Sequence, residues 1–244
     1  MDRIKIKDVN INYKYVDNEC EDTLVFLHGW GQNIQMMEPL ANRFINKFNI
    51  LIIDLPGFGK SEEPKEVWSI YDYSSLVNDL IKELKINNPI LIGHSFGGKI
   101  ALVYASIHKV KKLVVFGSPF CKEIKELPLK TKIYKFVKKT PVLNILAKPL
   151  ANMIGSKDYK NSSGIMRSIM VKHVNLDVIE DVKKINAPTL IIWGDKDEAV
   201  NIERAYELEK LIKDSGVIVY ENATHYAYLE RLNEVAIVLN SFFS

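Results

Sequence analysis

Six short apolar runs constrain this chain more than anything else in it. They are TLVFLHG (23–29), NILIIDLPG (49–57), PILIGHS (89–95), KLVVFGS (112–118), PTLIIWG (188–194) and VIVYEN (217–222). Each is rich in Val, Ile and Leu, and each closes near a glycine, an asparagine or a polar turn. Continuous apolar runs bounded in this way suit strands buried on both faces, as in a parallel sheet. The intervening stretches repeat with a period of 3.6. Met37, Leu40, Phe44 and Phe48 form one stripe, and Leu76, Leu80 and Leu84 another. Ile202, Ala205, Leu208, Leu211 and Ile212 form a third, closed by Gly216, and Val235, Val238, Leu239 and Phe242 the last. Alternating strands and helices imply a parallel sheet covered by helices on both faces. Residues 3–16 alternate and add an antiparallel hairpin at the sheet edge. The expected fold class is α/β, with a mostly parallel eight-stranded sheet.

The alternation breaks once, at 119–181, which contains no strand-like run. Ile133, Phe136, Val137, Leu143, Leu146 and Leu150 suggest short amphipathic helices there, interrupted by Pro141 and Pro149. The expected organisation is therefore a core at 1–118 and 182–244, with a helical insertion at 119–181 after the sixth strand. The chain of 244 residues is long enough for one full core with a small lobe. Its net charge of +3 is unevenly spread. Residues 121–172 carry twelve basic and three acidic side chains, a net +9, which leaves the remainder at −6. An anion-docking surface and a Lys-rich solvated helix face are both readings of that segment. The two cysteines, Cys20 and Cys121, match neither a disulfide framework nor a metal site. Residues 1–16 lack the apolar core of a signal peptide, and no apolar run is long enough to span a bilayer. The expectation is a soluble, cytoplasmic protein with no transmembrane segment and no nucleic-acid role.

Within the third run, LIGHSFGGKI (91–100) interrupts a strand with a serine set between glycines. A serine hydroxyl is a weak nucleophile near neutral pH. It needs an adjacent base, exposure, and donors aimed at the developing oxyanion. A sharp strand-to-helix turn supplies the exposure, together with a backbone N–H at a helix N-terminus. Such a turn crowds its neighbours, so Gly93 and Gly97 flank Ser95 at two residues on either side, and Gly98 lets the new helix pack close.

A base should follow in chain order. Of the five histidines, His28 and His94 lie in glycine motifs, where each could simply shape a turn. His108 ends the helix after Ser95, and His173 lies in the insertion. His225, in ENATHYAYLER, follows the last strand at the same sheet edge as Ser95, and is the expected base. The acid comes from IIWGDKDEAV (191–200): Asp195 suits the turn, and Asp197 reaches farther along the loop. A carboxylate bonded to the far ring nitrogen of His225 would fix its tautomer and support its imidazolium. The expected oxyanion donors are the backbone N–H groups of Phe96 and of Trp30, the latter in FLHGWGQN. Substrate contact is expected at Trp30, Phe96, Phe120 and Tyr226.

The motifs LHGWGQN, DLPGFGKS (54–61), GHSFGG, WGDKD and THYAYLE make the chain resemble the α/β-hydrolase superfamily over nearly its whole length. The resemblance implies Ser95 as nucleophile, Asp197 as acid, His225 as base, oxyanion donors at Trp30 and Phe96, a structural role for Asp54, and the 119–181 insertion as a helical cap. HGWG with DLPGFG also resembles the pimeloyl-acyl-carrier-protein methyl ester esterases. Asn201 stands where the family commonly has proline, and Thr224 where it commonly has glycine; neither touches the chemistry. Ser95 argues against the branches that place aspartate at that position. The implied activity is hydrolysis of carboxylic esters or thioesters of small to medium apolar acyl groups, with no metal or organic cofactor. An acyl carrier protein or an anionic surface is a conceivable partner of the basic segment. Two other readings stay open: C–C bond cleavage or lyase chemistry on the same constellation, and a non-catalytic ligand-binding module.

Overall fold

The computed structural model describes residues 1–122 and 163–244. Eight strands form one sheet: β1 Asp2–Ile6, β2 Val9–Val16, β3 Thr23–Leu27, β4 Asn49–Ile53, β5 Ile90–His94, β6 Lys112–Phe116, β7 Thr189–Gly194 and β8 Ser215–Tyr220. Their spatial order is β1-β2-β4-β3-β5-β6-β7-β8. β1 and β2 form an antiparallel hairpin, and β2 pairs antiparallel with β4. The remaining pairings are parallel. Lys7 and Asp8, both at positive φ, make the two-residue turn whose twist matches that of a hairpin. The expected mostly parallel eight-stranded sheet is therefore present, hairpin included.

The central strands are buried on both faces, so side chains of alternating parity supply two separate cores. Val25, Leu27, Leu51, Ile53, Leu91, Val115, Ile191 and Trp193 face one side. Leu24, Phe26, Ile50, Ile52, Ile92, Val114, Phe116 and Ile192 face the other. The first face is covered by α2 (Ile70–Glu83), α3 (Phe96–Ile107), α4 (Gly164–Asn175), α5 (Ile179–Val182) and α6 (Glu203–Leu211). The second is covered by α1 (Ile34–Ala41), α7 (Ala227–Glu230) and α8 (Leu232–Phe243). A reciprocal capping box between Ser69 and Asp72 starts α2 and satisfies donors that the first turn leaves open.

Two sequence expectations are corrected. The first stripe reads as helix to Phe48, but α1 ends at Ala41. Arg43, Phe44 and Lys47 bond back three residues, to Leu40, Ala41 and Phe44, so tight turns carry the stripe onward. Gly216 does not close a helix: it lies inside β8, paired with Leu190, and α6 has already ended at Leu211. The expected helices around Ile133, Phe136, Val137, Leu143, Leu146 and Leu150 lie outside the described residues. The described end of that insertion contains α4, whose Met166, Ile169 and His173 are buried along one helical face. Among the described residues, no helix is long and apolar enough to cross a membrane.

Candidate active site

The parallel strands deliver their carboxyl ends to one edge of the sheet, and the loops that leave it carry the candidate groups. Ser95 follows β5, Asp197 follows β7 and His225 follows β8. Ser95 sits at φ 52° as α3 begins, a left-handed conformation that a non-glycine residue adopts only when its surroundings enforce it. The Ser95 N–H donates to the Phe116 carbonyl at 2.8 Å, and its own carbonyl receives Lys99 N–H at 3.0 Å. The flanking glycines are sterically required. A Cβ at Gly93 would lie 2.5 Å from the Gly98 Cα, and one at Gly97 would lie 2.3 Å from the Leu27 carbonyl oxygen. At Gly98 it would run into the Ser118 hydroxyl.

The His225 Nδ1 and Asp197 Oδ2 are 2.7 Å apart, and the Asp197 side chain is fully buried. The other carboxylate oxygen, Oδ1, accepts from the backbone N–H groups of Ala199 and Val200 at 2.8 and 2.9 Å. With Nδ1 donating to the carboxylate, Nε2 is the nitrogen left to take a proton. Asp195 is placed differently: its Oδ2 lies 3.5 Å from the Lys196 ammonium, and its N–H bonds to Tyr220.

Ser95 and His225 line one cavity of about 540 Å³, together with Gly29, Trp30, Tyr226 and residues of α3 and α4. The expected contacts Trp30 and Tyr226 are thus on the wall. Phe96 and Phe120 are not among the lining residues; both are buried in the core. The Phe96 ring packs edge-on against Trp30, Tyr73 and His173, so its side chain supports the wall from behind. Its backbone N–H, as the first residue of α3, has no partner within the helix.

The other histidines near the site are fixed parts of the frame. The His28 Nε2 accepts the Leu55 N–H at 3.0 Å, its Nδ1 donates to the Gly29 carbonyl at 2.7 Å, and burial pushes its pKa down to about 4. The His94 Nε2 donates to the His225 backbone carbonyl at 2.9 Å, which ties the base's loop to the serine's turn. Burial, and then the neighbouring His225, hold His94 well below the usual histidine range. Asp54 accepts from Asn12, Lys60 N–H and Ile34 N–H, a structural role for DLPGFG.

Several contributors were missed in the sequence. Gln32 Oε1 accepts the Gly29 N–H at 2.9 Å and so shapes the loop before Trp30. Gly117, at φ 50°, makes room for the ion pair: a Cβ there would lie 2.8 Å from His225 Nδ1 and 3.0 Å from Asp197 Oδ2. The position of Gly117 just past an apolar run was the available signal. Lys99 and His173 complete the wall toward α4. Among the described residues, no three His, Cys, Asp or Glu side chains converge as a metal-binding group.

A family model described as alpha/beta hydrolase fold matches residues 22–134. The chain has the α/β-hydrolase fold. It is 28% identical to the 2-hydroxy-6-oxononadienedioate/2-hydroxy-6-oxononatrienedioate hydrolase 1 of Pseudomonas putida, over 93% of this chain and 90% of that one. It is 24% identical to a pimeloyl-[acyl-carrier protein] methyl ester esterase of Aliivibrio fischeri, over 94% and 96%. Among solved structures, an esterase from Exiguobacterium antarcticum shares the fold with a TM-score of 0.77 at 24% identity, covering 98% of each chain.

Proposed function

We propose that this α/β-hydrolase-fold protein is a serine hydrolase that cleaves carboxylic esters or thioesters of small to medium apolar acyl groups. The observation that carries the reading is the His225 imidazole, bonded to the buried Asp197 carboxylate and lining the same cavity as Ser95. The esterases among its relatives support the bond type.

In this reading the Ser95 Oγ attacks the acyl carbon while its proton passes to His225 Nε2. The tetrahedral oxyanion is held by the backbone N–H groups of Phe96 and Trp30. Collapse breaks the bond to the alcohol or thiol, which departs with the proton from His225 and leaves an acyl-Ser95 ester. Water then attacks that ester, again giving its proton to His225, and the acid is released as Ser95 regains its hydrogen. Asp197 holds the imidazole in the required tautomer and offsets the charge that His225 acquires. Residues 119–181 act as a cap over the pocket, with 1–118 and 182–244 as the catalytic core.

A panel of 4-nitrophenyl esters from acetate to decanoate tests this. The expected result is turnover that peaks at short to medium acyl length and disappears in Ser95→Ala. Turnover that persists in Ser95→Ala, or none on any ester or thioester, would contradict it.

A further inference from the structure

The α4 side of the cavity carries an ammonium group that the proposed chemistry does not use. Lys99 lies on α3 four residues beyond Ser95, an axial step of about 6 Å, and is only 1% exposed. Its Nζ donates to the carbonyls of His173 at 3.0 Å and Leu176 at 2.6 Å. Those carbonyls belong to the carboxyl-terminal end of α4, where a cation is favourable. A lysine has three N–H donors, so one remains after these two bonds, and Lys99 is part of the cavity wall.

An independent observation lies beside it. His173 also lines the cavity, is 8% exposed, and has a buried Nδ1 with no hydrogen-bond partner among the described residues. Its ring lies parallel to Trp30 and edge-on to Phe96, so it is held rather than swinging free. Burial, and then the charge on Lys99, push its pKa down to about 3, so it stays neutral, with one ring nitrogen protonated and the other bare. Among the described residues, the charged side chains on the wall are Lys99 and Lys122, and no Asp or Glu lines it. A cationic donor beyond its two bonds, an imidazole nitrogen without a partner and the lack of carboxylates among the described wall residues make a polar end in an otherwise mainly apolar cavity. Leaving such groups unpaired costs free energy that a ligand can recover.

We propose that Lys99 and His173 form a subsite for a carboxylate at the far end of the acyl group, which makes acyl chains ending in a carboxylate the preferred substrate class. The inference rests on the hydrolase reading, with Ser95 at the near end of the same cavity.

The test compares mono-4-nitrophenyl adipate with 4-nitrophenyl hexanoate, which match in acyl length and differ in the terminal charge. The wild type should prefer the adipate ester by about tenfold or more in kcat/KM. Lys99→Met should bring that ratio close to one, and Lys99→Arg should retain most of it. Binding of free hexanoate and of its neutral amide, hexanamide, to the wild type, followed by calorimetry, gives a second readout that needs no variant and no turnover: hexanoate should bind more tightly. Equal use of the two esters by the wild type, or a ratio unchanged in Lys99→Met, would overturn the subsite. So would equal binding of hexanoate and hexanamide. Absence of turnover on both esters with hexanoate still bound more tightly than hexanamide would instead count against the hydrolase reading alone.

Discussion

The two walls of the cavity are built on opposite terms. On the sheet-edge wall almost every polar group of the proposed machinery is spent. Asp197 accepts three hydrogen bonds, His94 anchors the His225 backbone, and Gly117 leaves no room for a side chain beside the pair. On the α4 wall, Lys99 keeps a donor in reserve and His173 keeps an unpaired nitrogen. The contrast teaches where each property resides. A reaction centre has to be fixed before substrate arrives, so its donors and acceptors are satisfied by protein. A recognition surface can hold capacity open, because the ligand completes it.

The largest expected effects break the sheet-edge wall. Ser95→Ala or His225→Ala should lower kcat by roughly 10⁴-fold or more, measured on the best ester of the panel. Asp197→Asn should come close to that, whereas Asp195→Asn should stay within about threefold, since its carboxylate touches Lys196 and not His225. An exchange of those two outcomes would reassign the acid. Gly117→Ala comes next. It forces a Cβ into left-handed backbone and against the His225–Asp197 pair, and kcat should fall by about 10²-fold through misplacement alone. A variant with unchanged kcat would mean that this wall is softer than its packing implies.

Smaller effects sharpen the other wall. Burial brings the Lys99 pKa down to about 8, against the opposing pull of Asp177 and the Cys121 thiol. His173 stays neutral across the range, and Lys122 shares the wall. The preference for a carboxylate-bearing ester should therefore be full below pH 8 and decline as the pH rises through it. The kcat/KM ratio for the adipate and hexanoate esters, followed from pH 6 to 10, reads this directly; a flat ratio would detach the preference from Lys99. The smallest effect is on stability. His173→Phe keeps a flat ring between Trp30 and Phe96 and removes the unpaired nitrogen. Denaturant unfolding should show stability unchanged or raised by up to about 1 kcal/mol, while adipate selectivity falls.

How much of this could be read in the chain follows from what each residue does. The strands were readable because burial on both faces leaves an uninterrupted apolar run, and β3 to β8 each lie within or beside one of the six runs. The placement of Ser95, Asp197 and His225 at one sheet edge was readable because each follows a parallel strand. The extent of α1 was not, since Phe44 is buried whether its backbone is helical or a chain of tight turns. Lys99 was hidden for a different reason. A lysine on a helix is ordinarily solvated, and nothing local in GGKIAL announces that the carbonyls of His173 and Leu176 will meet it from far along the chain. Phe96 and Phe120 show the converse: aromatic residues beside a site in sequence can lie behind its wall in space.

The central claim is that Ser95 is an activated nucleophile, and covalent trapping tests it most directly. Incubation with a fluorophosphonate, read by intact-protein mass and peptide mapping, should add one phosphonyl group to Ser95. The adduct should be absent from Ser95→Ala and strongly slowed in His225→Ala. A wild-type protein that stays unlabelled, or a label that maps to another residue, would contradict the account.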